Sequence, residues 1–522
     1  MASQNTYIYY RPQWTCGQFN KNVHAAIYYN LIEGMAYFFE DYAADVIGVI
    51  LSLGRGGCIS LDNLSDTIGI GTDSLMAFAK ELCELNLLTT VEPDEEYIDK
   101  IREEKKHKST GISHHQPYTE SKATDDYPVE LNDAELAYKE KVGGIVSVMF
   151  ELTYLCCEKC IHCYNIGATR NDKEKSHRGD LQQISLEDYQ RIIDELHTEG
   201  VIKVCLSGGD PFSNPNVWSI LDYLYQKDIA VDIFTNGLSI LGKEKRVARY
   251  YPRLVGTSLY SGIASDHDKI TRVKGSWDKT MTVIENLHSL SVPLILKCCV
   301  MRPNLKSYYT VSNVGNQYNI PIQFELNVTD SVDGDKCVSH YLRLSPEQLE
   351  IVLRDPNSVM YVGKELSNYG GIAIEMEKNA CMAGYSAFCI SPNGDLMPCC
   401  AFHMAFGNLK EQHLKDILSN SSTLHWWRQL KVKDYEECGQ HDYCAYCNLC
   451  AGLNYSENGI PLKAAENNCY MAKVRYNLAQ RMLKTGYDPL NGITLEERLN
   501  KLDDISLPDI ERTYSSIKRC CD

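Results

Sequence analysis

Cysteine is the residue type on which this chain's chemistry turns: 22 of its 522 residues are cysteine, and most fall in two runs. The first is Cys156-Cys157-Glu158-Lys159-Cys160-Ile161-His162-Cys163, a C-x3-C-x2-C spacing. Thiolates are the usual protein ligands of iron–sulfur clusters. If Cys156, Cys160 and Cys163 hold a four-iron cluster, one iron stays open to a further ligand. The same spacing permits a zinc site completed by His162, although His162 adjoins Cys163 and two neighbours in a tight loop seldom reach one tetrahedral ion. The second run comprises Cys381, Cys389, Cys399, Cys400, Cys438, Cys444, Cys447, Cys450 and Cys469. Its spacing alone also permits a pair of zinc knuckles. Free thiols in such numbers suit a reducing compartment and metal or redox chemistry. Cys58, Cys83, Cys205 and Cys298 stand among apolar neighbours and read as small core residues.

Alternating elements place the first run. IVSVMFELT reads as a buried strand and leads straight into it. Ser185-Leu186-Glu187-Asp188 is a capping box opening a helix that stops at Gly200. Strand and helix then alternate through VIKVCL, NPNVWSILDYLYQK, IAVDIF, a helix near 240–250, LVGTSLY, SWDKTMTVIENLHSL, VPLILKCCV and IPIQFELNV. Five or six such units predict a parallel sheet with helices outside, open or barrel-like. Ligands gather at the carboxyl ends of its strands, where the first cysteines lie.

Residues 1–95 have a different rhythm. Aromatic and β-branched runs precede helical periodicity in DYAADVIGVILSL, a capped start at Ser60, a Gly69-Ile70-Gly71 turn and a helix from Asp73 to Leu87. That is a winged helix-turn-helix pattern. Between Ser60 and Leu88 the only basic residue is Lys80, against Asp62, Asp66, Asp73, Glu81 and Glu84. Such a unit has no means of holding phosphates, so peptide binding or a structural role fits better. Residues 96–140 read as a polar linker with one short helix at its start; His114 and His115 within it read as solvated. The formal charge of −17 argues against nucleic acid or anionic membrane as a partner. No charged-then-apolar signal opens the sequence and no run of about 18 apolar residues occurs, so a cytoplasmic, non-membrane protein is expected.

Four motifs on successive strands now fall in register: the cysteine run, Ser207-Gly208-Gly209-Asp210-Pro211, Thr235-Asn236-Gly237, and Ser258-Leu259-Tyr260-Ser261-Gly262 followed by His267-Asp268 and Lys274-Gly275-Ser276. Together they resemble the radical S-adenosylmethionine (SAM) superfamily over about residues 145–330. The resemblance implies an α/β fold with a partial (β/α)6, TIM-like barrel over 141–330. It also implies SAM binding by Gly208, Gly209, Asp210, Pro211, Thr235, Asn236 and Ser258, and cleavage of SAM to a hydrogen-abstracting 5′-deoxyadenosyl radical. Tyr260 and Ser261 depart from the family's Asp-Gly. Cys381 through Cys399, in CMAGYSAFCISPNGDLMPC, resembles the opening of the SPASM domain, which carries two auxiliary 4Fe–4S clusters. By that analogy Cys381, Cys389, Cys399 and Cys450 serve one cluster, and Cys438, Cys447 and Cys469 serve the other with either Cys444 or His441.

The order of these units resembles that of radical SAM maturases of ribosomally made peptides, whose PqqD-like recognition element binds a precursor's leader as an added strand. The implied boundaries are 1–95 for recognition, 96–140 linker, 141–330 core, 331–380 bridge, 381–480 SPASM and 481–522 a helical tail. The implied cofactors are SAM and three 4Fe–4S clusters. The implied partners are a precursor peptide and an electron donor such as flavodoxin or ferredoxin. Tyr260, Glu325 and Asn327, near strand ends, are the catalytic candidates. A sulfatase-type maturase and a zinc-binding winged-helix regulator are the competing readings.

Overall fold

The computed structural model describes residues 7–110, 132–165, 183–331, 337–355, 374–485 and 493–502. Near the amino terminus β1 (Ile8–Tyr10) pairs with β5 (Cys58–Ser60), while β2 (Thr15–Asn20), β3 (Ala25–Asn30) and β4 (Met35–Glu40) form an antiparallel meander. The strand TCGQFN was not expected, because Gly, Gln and Asn have little preference for strands; pairing with the apolar β3 overrides that. The helix Asp41–Ser52 lays Ala44, Ile47 and Ile50 on the meander. Gly48 permits the approach, since a Cβ there would lie 2.5 Å from the Phe19 ring. The capped helix follows as predicted, with the Ser60 hydroxyl accepting from Asn63 N at 3.2 Å, then Gly69 in the left-handed conformation and a helix over Thr72–Glu84.

The stretch read as a linker needs correction. It begins with a helix over Glu95–Thr110, as anticipated, but its end forms a second helix, Asp133–Val142, opened by a capping box between Asn132 and Glu135. That helix packs into the protein: Tyr138 is 1% exposed, and fully buried Glu135 receives Lys203 Nζ at 2.9 Å and the Tyr29 hydroxyl at 2.8 Å. With Arg11 and Arg55 on Asp228 (2.7 and 3.1 Å), it fastens the amino-terminal unit to the amino ends of the core strands. His114 and His115 lie outside the described residues.

The core sheet bears out the alternation. β6 (Ser147–Glu151), β7 (Lys203–Ser207), β8 (Ala230–Thr235), β9 (Leu254–Ser258), β10 (Leu294–Cys299) and β11 (Ile322–Glu325) are parallel and adjacent in chain order. In β10, Leu294, Leu296 and Cys298 are buried in the helix-covered core, whereas Ile295, Lys297 and Cys299 on the other face are only half-buried. A seventh parallel strand comes from the cysteine-rich region: β12 (Ala387–Ile390) pairs with β6, and β13 (Asp395–Met397) and β14 (Gly407–Asn408) continue antiparallel. The SPASM-like segment is thus joined to the core by backbone hydrogen bonds. Cys205 and Cys298 are core residues as expected, Cys83 is half-buried, and Cys58, at the end of a two-stranded ribbon, is exposed. Among the described residues no helix is long and apolar enough to cross a membrane.

Candidate active site

The cysteine loop leaves β6 at the carboxyl end of the sheet and is pinned on two sides. Lys159 N and Ile161 N donate to Thr271 O and Ile270 O, each at 3.0 Å; Thr153 O and Leu155 O accept from Gly209 N (2.6 Å) and Asp210 N (2.9 Å). Here the glycine pair has a local purpose. Gly208 has φ +120°, and a Cβ there would sit 2.3 Å from Thr153 O; one on Gly209 would sit 2.4 Å from Leu155 O. No other residue allows this contact.

Asp210 is fully buried and both of its oxygens are taken. Oδ2 accepts from the Thr235 hydroxyl (2.6 Å) and Asn236 N (3.1 Å), and Oδ1 from Phe212 N (3.0 Å). Burial raises its pKa against those bonds. Asn236 Nδ2 in turn reaches Cys156 Sγ at 3.2 Å. The Gly-Gly-Asp-Pro and Thr-Asn-Gly motifs and the cysteines therefore form one hydrogen-bonded unit. Asp210, implied as a contact to SAM, serves in this structure to lock that unit. Pro211, also buried, opens the short turn after it. Ser258, half-buried at the end of β9, faces the Tyr260 hydroxyl.

The thiols fit an iron–sulfur cluster by donor chemistry, with three on one loop. Burial pushes Cys160 up and Cys163 up to about 11; contact with Cys157 raises Cys156, and the same contact pulls Cys157 down to about 6. Metal ligation requires thiolates, so loading releases these protons. His162 is half-buried, its pKa pushed down to about 4 by desolvation, with its ring edge on Tyr260 at 4.8 Å. Tyr260 also stacks on His267 at 5.6 Å, and His267 Nδ1 accepts from Tyr260 N at 3.2 Å. Glu325 Oε1 caps Leu326 N and Asn327 N (2.9 and 2.8 Å), while Asn327 Oδ1 is buried with no partner among the described residues.

Two groups were missed in the sequence. Glu151, 1% exposed at the end of β6, is raised to about 7 by burial, against hydrogen bonds from Tyr154 (3.3 Å) and Tyr164 (3.4 Å). Lys297, midway along β10, holds its Nζ 3.7 Å from the Phe234 ring centre. Each is a charged residue inside an apolar strand, and that was the available signal.

The later cysteines divide in two. The Cys399 thiol, raised by burial, is raised further by Cys450 and Cys381, and Cys450 is lifted to about 11. Cys389 lies beside Cys399 but faces Glu151, Cys400 and Cys205. Burial, Cys469 and Cys444 push Cys438 up to about 12, and Cys447 likewise stands among Cys469, Cys438 and Cys444. His441 is exposed, stacked on Tyr443 at 4.9 Å, and opens onto a cavity of 440 Å³ with Met376 and Tyr476. The structure thus brings Cys444, not His441, to the second set. Among the described residues no three His, Cys, Asp or Glu side chains close around a single-ion position. Cys520 and Cys521 lie outside the described residues.

Residues 150–306 match the radical SAM superfamily and residues 381–451 the SPASM iron–sulfur cluster-binding domain. With the cysteine loop at the sheet's carboxyl end, the first match takes in Cys156, Cys160 and Cys163, and the second takes in Cys381, Cys399 and Cys450. Among named proteins the chain is similar to the antilisterial bacteriocin subtilosin biosynthesis protein AlbA of Bacillus subtilis, with 27% identity over 62% of this chain and 69% of that one. The AdoMet-dependent heme synthase of Methanosarcina barkeri is 24% identical over 58% of this chain and 90% of its own. In fold the chain resembles Streptococcus suis SuiB bound to precursor peptide SuiA, at TM-score 0.50 and 14% identity, over 88% of this chain and 99% of that one.

Proposed function

We propose that the chain modifies a ribosomally made precursor peptide by radical hydrogen abstraction, forming a crosslink or rearranging the backbone, guided by the peptide's leader. When bound, a 4Fe–4S cluster on Cys156, Cys160 and Cys163 together with SAM supplies a 5′-deoxyadenosyl radical. The chain's own residues then have separable tasks. Asp210, Thr235 and Asn236 hold the loop, and Gly208, Gly209 and Ser258 would contact SAM. Tyr260 covers Cys160 within an apolar cluster of Ile161, Met301 and Val328 that excludes water. Two auxiliary 4Fe–4S clusters, on Cys381, Cys399, Cys450 and Cys389 and on Cys438, Cys444, Cys447 and Cys469, would bind substrate or accept the electron left after bond formation. A flavodoxin or ferredoxin would supply the electron that SAM cleavage consumes.

The observation that carries the peptide reading is the free edge of β4. Among the described residues it pairs only with β3. Beside it Phe39 meets Phe78 of the helix Thr72–Glu84 edge-on at 5.9 Å, and Met35, Tyr42 and Met76 are 50%, 56% and 37% exposed. An added strand would find main-chain partners along β4 and apolar pockets beside it. Likeness to a haem-forming enzyme as well as to AlbA means that the shared core leaves the substrate open, so this amino-terminal unit bears the argument. A sulfatase-type maturase would share the core and SPASM domain, but this unit favours a leader-guided peptide.

Incubating reconstituted enzyme, SAM, reductant and the peptide encoded beside its gene should yield 5′-deoxyadenosine and a change in peptide mass. SAM cleavage indifferent to that peptide, with no mass change, would refute the reading.

A further inference from the structure

Alternate residues of the six parallel strands face away from the helices, and the register aligns a polar set on that face. Phe234 of β8 lies beside Gly256 of β9, and Ser258 of β9 beside Lys297 of β10. Lys297 crosses Gly256 to reach the Phe234 ring: a Cβ on Gly256 would lie 3.1 Å from Lys297 Cδ and 2.7 Å from Phe234 Cδ1. The bare glycine lets the ammonium lie 3.7 Å from the ring centre. Among the described residues Nζ makes no hydrogen bond or ion pair, and a ring face replaces only part of the hydration it has lost.

The ammonium borders an interior space. Lys297 is half-buried, yet the groups that act on it stand on several sides: Cys205 of β7, Asp232 of β8, Glu325 of β11 and Cys400 of the SPASM-like segment. The two carboxylates are held by others, Asp232 by Arg253 and Glu325 Oε1 by Leu326 N and Asn327 N at 2.9 and 2.8 Å. Burial outweighs all these neighbours and lowers the Lys297 pKa, which a full counter-charge at contact would raise. Cys400 also meets the hydroxyl of Tyr164, the residue after Cys163. Lys297 therefore stands between the first cysteine loop and the segment that carries the later cysteines.

We infer that Lys297 anchors a carboxylate of the substrate peptide, either an Asp or Glu side chain close to the modified residue or the peptide's carboxyl terminus, and so selects the residue presented to the radical. The inference rests on the peptide reading above. An ammonium facing an interior space, without an anion of its own, is completed by one that arrives with the substrate; charge-assisted hydrogen bonds then replace the water both groups give up. A neutral or basic residue in the same place leaves the ammonium unsatisfied, and that penalty discriminates between peptides. Lys297 exchanges no atom or electron with the substrate; it is a specificity residue.

The test is a double-mutant cycle between reconstituted full-length enzyme and the precursor peptide encoded beside its gene. Lys297→Met should raise the KM for the peptide about ten- to a hundredfold and leave SAM affinity unchanged. On the peptide side, each core Asp or Glu is replaced by Asn or Gln, and a further peptide carries a terminal amide. One of these should cost wild type the same factor and cost Lys297→Met almost nothing; which one does so tells a side-chain carboxylate from the terminal one. Wild type that accepts every neutralised peptide overturns the inference, and that measurement needs no enzyme variant to fold. Losses that simply add overturn it too, by making Lys297 a packing residue over Phe234. So does a fall in SAM affinity, which would assign the ammonium to the cofactor. If wild type cleaves SAM yet leaves the peptide's mass unchanged, the peptide reading fails, and saturation-transfer NMR of N-acetylglutamate amide then decides the anchor. A signal with wild type that is lost in Lys297→Met upholds the carboxylate site; no signal, or an equal one from both proteins, overturns it.

Discussion

Replacing Lys203 by Met tests how the amino-terminal unit is held to the barrel. Lys203 and Glu135 have side chains 1% and 0% exposed and meet at 2.9 Å. Their titrations point in opposite directions. Burial outweighs Glu135 and lowers the Lys203 pKa, while Lys203 and Arg253 overcome burial and hold Glu135 below the usual carboxylate range. The pair costs desolvation but is mutually satisfied at 2.9 Å, so removing one member strands the other. Stranding a buried charge costs about 3–5 kcal/mol, or roughly 6–20 °C in melting temperature for a unit of this size. The sign with pH follows. In wild type the depressed Glu135 contributes stability above its unfolded pKa that is lost as pH falls through its folded pKa. In Lys203→Met the carboxyl is raised instead, so the deficit is largest at neutral pH and shrinks in acid. Adding Glu135→Gln removes the stranded charge and should recover most of the loss. Thermal melts of the three variants at pH 5 and 7.5 are the assay. A Lys203→Met protein melting within about 2 °C of wild type, or a double variant no better than the single, refutes the reasoning.

Other consequences are equally direct. Gly208→Ala places a methyl 2.3 Å from Thr153 O at a φ of +120°, so the loop should be displaced and SAM cleavage should fall by orders of magnitude; near-normal cleavage would show the contact to be dispensable. Cys444→Ala should lose about four of about twelve irons while His441→Ala loses none, as read by metal and sulfide analysis of purified protein. Glu151, raised to about 7, should give the metal-free chain stability that is present below its unfolded pKa and lost as pH rises through about 7; Glu151→Gln should flatten that dependence in chemical denaturation. Met76→Asp, at an exposed position beside Phe78, should weaken leader binding about tenfold in calorimetry without lowering the melting temperature.

The six parallel strands were legible because each is a short apolar run bounded by turn residues, and the helix at Ser185 announced itself through its capping box. The order of the site motifs was legible for the same reason, since each follows a strand. What escaped depended on contacts between distant segments. The Asp133–Val142 helix hides because its buried face is Glu135 and Tyr138, and nothing local says that Lys203 waits for the carboxylate. β2 hides behind Gly and Asn, and only its pairing with β3 reveals it. The joining of β12 to β6 spans more than 200 residues, beyond any local pattern. Asp210 stood out within Gly208-Gly209-Asp210-Pro211, yet its bonds to Thr235 and Asn236 require two strand ends to be seen side by side.

In the proposed function Cys156, Cys160 and Cys163 hold the cluster at which SAM is cleaved, separately from the later cysteines. Cys160→Ala, reconstituted with iron and sulfide and assayed for 5′-deoxyadenosine under dithionite, tests it most directly. SAM cleavage should be lost, with about eight of about twelve irons retained. Cleavage at the wild-type rate would contradict it.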